Sequence, residues 1–246
     1  MSAREPVIDP RPTTKVQELE KTMKRLKFIT LALVAAFAIS VVASASAALP
    51  ELTKAGSTEA LTKKKFTGTS GAGKFETEKG TKVECLSDTS SGEVEGTTKF
   101  TKVVVKFKGC KEPAFGVECK TAGAAKEEMV TKELVGKLGY LKKGTKTVGT
   151  DLKPKEGNVF VEFTCGFFIA AKVEESVVGE VKPVNTATTS FSLVYTETPK
   201  GKQTWTKLEG EPEDVLKTSI NGAAPEKSAE ETTETLTAEE SAEVKA

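Results

Sequence analysis

The sequence predicts an all-β fold, an antiparallel β-sandwich or β-barrel built as a single domain behind an N-terminal signal peptide. Three observations carry that prediction. Short segments repeatedly alternate apolar residues with Lys, Thr or Glu, and Gly-rich turns separate them. β-branched Thr and Val are abundant beyond residue 48, as strands prefer. All four cysteines lie beyond an apolar run of signal type.

Residues 1–22 are polar, carry Pro6, Pro10 and Pro12, and show no apolar period. They read as a disordered leader, or as a start assigned upstream of a natural beginning at Met23-Lys-Arg-Leu-Lys-Phe28. Lys21, Lys24, Arg25 and Lys27 lead into the apolar run Phe28–Val42, and Ala45-Ser46-Ala47 completes a cleavage box. Residues 23–47 therefore read as a signal peptide cut between Ala47 and Ala48. Extended to Leu49, the run approaches the roughly 20 apolar residues that cross a bilayer, so a retained anchor is the alternative. In either case the basic residues direct the rest of the chain outward. The expected location is secreted or cell-envelope associated, with membrane contact only through an uncleaved signal segment.

Charge and composition exclude several functions. Seven of the 36 basic and four of the 35 acidic residues precede Ala48, leaving 29 and 31 beyond it. That balance gives no electrostatic grip on nucleic acid. The three arginines, Arg4, Arg11 and Arg25, all lie before the cleavage box, so the exported part lacks the guanidinium fork that recognises phosphate. Histidine is absent, which removes His-based nucleophile activation and the commonest metal ligand. No metal or cofactor is expected.

Along residues 48–222, the exported β domain, the strands follow in order. Val83 and Cys85 share a face in Thr81–Cys85, and Thr101, Val103, Val105 and Phe107 line one side of Lys99–Lys108. Val159, Val161, Phe163 and Cys165 alternate, as do Phe167, Ile169, Ala171 and Val173 after a turn at Cys165–Gly166. Ser176–Val184 and Thr188–Thr196 continue the pattern. Glu127–Leu141 offers both periods, but Gly136 and Gly139 would each cost a helix about 1 kcal/mol, so the segment reads as a bent strand. Residues 223–246 are acidic and Thr-rich, with little apolar content beyond Leu236 and Val244, and read as a solvated tail. The alternative returns Ser241–Ala246 as an edge strand.

Cys85, Cys110, Cys119 and Cys165 are an even number outside the cytoplasm, which points to two disulfides among three connectivities. Cys85 and Cys165 sit on apolar strand faces, while Cys110 and Cys119 flank the turn-like Lys111–Gly116. The expected pairs are Cys110–Cys119 and Cys85–Cys165. No Cys-x-x-Cys pair suggests zinc.

Four stretches, Thr81–Val94, Val103–Cys110, Glu133–Tyr140 and Val178–Asn185, carry a resemblance to uncharacterised exported actinobacterial β-rich proteins. The resemblance runs from Met23 to the C-terminus and rests on turns, strands and cysteines. It implies secretion, a β fold and a strand at 127–141. It implies no activity and no functional residues.

Candidate chemistry is sparse. Gly68-Thr-Ser-Gly-Ala-Gly73-Lys74 matches part of a phosphate-binding loop, but Phe75 stands where the Mg²⁺-binding hydroxyl belongs, so a structural turn is expected. Asp88, Asp151, Glu162, Glu174 and Glu175 are the carboxylates from which a hydrolytic pair would be drawn. Trp205, Tyr140 and Tyr195 are the aromatics that would contact a ligand such as a sugar, Trp205 and Tyr195 foremost. The sequence thus favours a non-catalytic structural or binding module, not an enzyme, with a cell-wall polymer or another envelope protein as partner. A secreted hydrolase using a carboxylate pair is the alternative.

Overall fold

The computed structural model describes residues 49–246; the leader, the signal segment and the Ala47–Ala48 cleavage point lie outside the described residues. A single 3-10 turn, Lys143–Thr145, interrupts an otherwise all-β architecture among the described residues. After β1 (Glu51–Lys54), β2 (Lys64–Ser70) and β3 (Gly73–Thr77) form one ribbon broken at Gly71–Ala72. β4 (Lys82–Cys85) and β5 (Ser87–Glu95) form the next, broken at Leu86, and β6 (Lys99–Lys108) and β7 (Lys111–Glu112) a third, broken at Gly109–Cys110. There follow β8 (Val117–Lys120), β9 (Glu128–Val130), β10 (Leu134–Lys142), β11 (Thr147–Pro154) and β12 (Val159–Cys165). β13 (Ile169–Glu174), β14 (Val177–Lys182) and β15 (Thr188–Tyr195) precede a short hairpin, β16 (Glu197–Thr198) and β17 (Lys202–Gln203). The chain finishes with β18 (Lys217–Ile220) and the 20-residue β19 (Glu226–Lys245).

The strands close into two antiparallel rings stacked end to end. The upper barrel runs β19-β2-β5-β6-β10-β11-β14-β15 and back to β19. The lower ring runs β19-β3-β4-β7-β8-β12-β13-β18 and again returns to β19. Full closure removes the free edges that a sandwich would have to protect. The breaks in the first three ribbons mark the waist between the rings. At the waist Gly109 takes φ +64°, and a Cβ there would come within 2.7 Å of Leu86.

Leu134, Leu138, Val148 and Leu193 fill the upper barrel, with Phe66 and Phe100 in edge-to-face contact at 6.0 Å. Val83, Val173 and Phe163 fill the lower ring, where Phe75 meets Phe163 edge-on at 6.5 Å. The strand reading of 127–141 holds, as β9 and β10. Gly136 lies under Phe100 and Leu152, where any side chain would collide.

Two expectations are corrected. Residues 223–246 are not a solvated tail, and their C-terminal end is not merely an edge strand: β19 belongs to both rings. Its even-numbered residues Ser228, Thr232, Glu234, Ala242 and Val244 are buried while Thr233, Thr235 and Thr237 face out. The β domain therefore extends to Lys245 and does not stop at residue 222. The cysteines pair as Cys85–Cys110 and Cys119–Cys165, not as Cys110–Cys119 and Cys85–Cys165. The reason is strand order. β7 lies beside β4, and Cys119 stands opposite Cys165 in the β8–β12 ladder, with Cα atoms 4.0 Å apart in each bridge.

Candidate functional site

The waist brings polar groups together on both sides of the barrel wall. Outside, the three ribbon breaks leave an open groove of about 740 Å³. Gly71, Ala72 and Gly73 give it a wall of bare backbone, Leu86 is 74% exposed at its rim, and Glu231, Lys74, Glu84 and Lys111 line it as one cross-strand row of alternating charge. The interior offers much less room. The upper-barrel cavity holds about 70 Å³ and the lower about 40 Å³. Both fall below the ~150 Å³ that admits a benzene ring. Of these three spaces, only the groove is large enough to hold a ligand of that size.

Behind the groove wall, at the junction of the two interiors, Asp88, Glu230 and Glu234 converge with Tyr195 and Thr232 around a space of about 10 Å³. That is roughly the room one water needs. The pleat of β19 puts Glu230, Thr232 and Glu234 on its inner side, and β5 does the same for Asp88 and Ser90. The Asp88 amide donates to Ser70 Oγ at 3.0 Å, and Ser70 Oγ donates to Asp88 Oδ2. Asp88 Oδ1 and Thr232 Oγ1 have no hydrogen-bond partner.

Burial pushes the carboxyls up. Glu230 rises to about 8, first through burial and then through the Asp88 and Glu234 charges. Glu230 also lines the lower cavity and is half-buried. Burial raises Glu234 to about 7; the Ser90 hydroxyl opposes this and the Asp88 charge adds to it. Asp88 rises through burial against the Ser70 hydrogen bond. Tyr195 rises well above its ordinary value, through burial and the facing carboxylates. No lysine is among the charges acting on Asp88, Glu230 or Glu234. Among the described residues no cluster of His, Cys, Asp and Glu has the geometry to hold a metal ion.

Lys74 anchors the lower lip of the groove. It reaches Glu197 and Glu231 at 3.2 Å each and Glu76 at 3.7 Å. Burial alone would lower its pKa, but the Glu197 and Glu231 carboxylates outweigh that and raise it. Gln203 clasps the neighbouring β19 backbone: the Glu230 amide donates to its Oε1 at 2.9 Å, and its Nε2 donates to the Glu230 carbonyl at 3.2 Å.

The residues singled out from the sequence fall in different places. Tyr195 is buried and lines both the groove and the carboxylate cluster. Trp205 is elsewhere, half-buried over Leu141, Val178 and Leu208 on the outer face of the upper barrel. Asp88 joins the cluster, whereas buried Asp151 stands apart against Ser176. Glu162, Glu174 and Glu175 face outward in ion pairs with Lys132, Lys172 and Lys217. Gly68 to Lys74 is a strand break with no following helix, as the structural reading expects. Glu230, Glu234 and Leu86 were missed. The period-2 run of acids and threonines from Glu230 to Thr237 was the available signal for the first two. Comparisons with protein-family models, with curated proteins and with solved structures found no match.

Proposed function

We propose that the chain is an exported, non-catalytic binding module of the cell envelope or its surroundings, and that the waist groove takes its partner. The groove volume carries this reading: about 740 Å³ lies within the usual range of ligand sites, while the interior cavities lie far below it. Its chemistry suits a polymer rich in hydroxyl and amide groups, such as a cell-wall glycan. Thr196 and Thr233 supply hydroxyls, the Gly71–Gly73 backbone lies open, and the charges of both signs cancel. The signal-type run before Ala48 and the two disulfides support export to an oxidising compartment.

A secreted hydrolase is the second reading, favoured by the convergence of Asp88, Glu230 and Glu234 with raised pKa values. Against it, those groups are enclosed with room for about one water, and no substrate chain reaches them. The test is co-sedimentation of the chain beginning at Ala48 with peptidoglycan and insoluble glycans, beside turnover of ester, peptide and glycoside substrates. Ala72→Trp, which fills the groove, is expected to abolish retention. Turnover lost in Asp88→Asn would replace binding with hydrolysis.

A further inference from the structure

Four turns form the end of the lower ring that points away from the upper barrel: 78–81, 113–116, 166–168 and 221–225. Three of them carry no charged residue: Pro113-Ala-Phe-Gly116, Gly166-Phe-Phe168 and Asn221-Gly-Ala-Ala-Pro225. Phe115 is 74% exposed, Phe168 66% and Phe167 fully so; among the described residues only Leu49 and Leu86 are other large apolar side chains so exposed. The Phe115 and Phe168 rings lie 6.5 Å apart, so the two aromatic turns form one patch.

The turns are held, not loose. The Glu112 carboxylate accepts from the Phe115 amide at 2.9 Å and from the Ala114 amide at 3.2 Å. Asn221 Nδ2 donates to the Phe168 carbonyl at 2.8 Å, and the Ala170 amide donates to Asn221 Oδ1 at 2.8 Å. Two side chains thus tie down three neighbouring turns and satisfy four backbone groups at or beside them from within the protein.

We propose that this tip inserts its three phenylalanines into the surface of a lipid bilayer. Size argues against a protein partner. Three aromatic side chains offer on the order of 500 Å² of apolar surface, below the ~800 Å² per partner of a stable protein interface. The patch is also convex, being the turn end of a ring, and convex apolar tips suit a fluid surface that needs no shape match. A bilayer surface favours backbone groups satisfied internally, and Glu112 and Asn221 do this for four of them at the aromatic turns. Three lysines flanking the turns are paired: Lys79 with Glu226 at 3.4 Å, Lys111 with Glu127 at 3.5 Å and Lys126 with Glu118 at 2.7 Å. The attraction is accordingly apolar and does not require anionic lipid.

Residues 49–246 contain every strand of both rings, so the test uses the chain from Ala48 onward. It is incubated with vesicles of zwitterionic phosphatidylcholine, which are then sedimented. The chain is expected to pellet with the vesicles, and equally so in about 1 M salt, where the Debye length is about 3 Å. Phe115→Ser, Phe167→Ser and Phe168→Ser are each expected to weaken partitioning roughly tenfold, and the triple variant to abolish it. These side chains are exposed, so an unchanged melting temperature shows that the variants fold. Absent vesicle binding, binding abolished by salt, or binding that survives in the triple variant would overturn the proposal. Concentration-dependent dimerisation lost in the triple variant would overturn it too, by making a second copy the occupant. Glycan retention at the waist is unaffected by these variants, so either result stands without the other.

Discussion

Gly68 provides the space that Glu234 occupies: a Cβ at position 68 would collide with the Glu234 carboxylate and the Ser90 hydroxyl. Gly68 is registered between Ser90 of β5 and Leu236 of β19, so the three strands meet at one point of the upper-barrel wall. The carboxylate cluster is therefore built into the packing of the wall.

Gly68→Ala is accordingly expected to destabilise the protein by about 1–3 kcal/mol, the usual range for overpacking. Glu234→Ala in the same chain is expected to recover much of that loss, because the clash is between these two residues. Urea unfolding of the two single variants and the double variant measures the coupling, and simple additivity would refute a shared cause.

Stability is expected to fall as pH rises. Glu230 and Glu234 titrate near 8 and near 7 in the folded chain, against 4.5 when unperturbed. Between those values the folded state binds more protons than the unfolded state, so the unfolding free energy decreases with pH. Their contribution is complete below about pH 4.5 and is lost as pH passes through 7 to 8. Thermal melts across pH 5 to 9 read this slope, of order a few kcal/mol in total. Glu230→Gln with Glu234→Gln is expected to flatten the profile and to raise stability at the alkaline end.

The disulfides sit where the lower ring is thinnest. A single residue pair, Glu84 with Lys111, joins β4 to β7, and two pairs join β8 to β12. The bridges Cys85–Cys110 and Cys119–Cys165 span 25 and 46 residues. The chain-entropy model gives each about 3–4 kcal/mol. Non-reducing peptide mapping is expected to find those two bridges. After reduction, hydrogen exchange is expected to accelerate in β7, β8 and β12 before the upper barrel loosens, whereas uniform acceleration would contradict a local role.

Truncation at Gly222 removes β19 and opens both rings. The shortened chain is expected to lose its cooperative thermal transition in circular dichroism. A solvated tail would leave that transition unchanged.

Alternation in Lys99–Lys108 and Val159–Cys165 makes β6 and β12 legible, because their inward positions hold Val and Phe. In β19 those positions hold Glu230, Thr232 and Glu234, so hydropathy reports a solvated segment although the pleat is regular. Parity places Cys85 and Cys165 on apolar faces but does not say which strands are neighbours. That depends on β7 lying beside β4 and β8 beside β12, an order no local pattern carries. The groove is hidden for a related reason: it forms only because the breaks at Gly71, Leu86 and Gly109 come level with one another in three separate ribbons.

β19 also sets a schedule. It closes both rings, yet it follows every other strand in order of synthesis, and its partners lie as far back as β1 and β2. Until residues 226–245 have emerged, neither ring can close, and each holds only open sheets with unpaired edges. Such pairings between distant parts of a chain form slowly, because long loops must be closed before any contact is gained. The fold therefore delays its own completion until β19 is available to both rings. All four cysteines precede β19, so a bridge formed before β19 docks joins sheets that nothing yet holds in a ring.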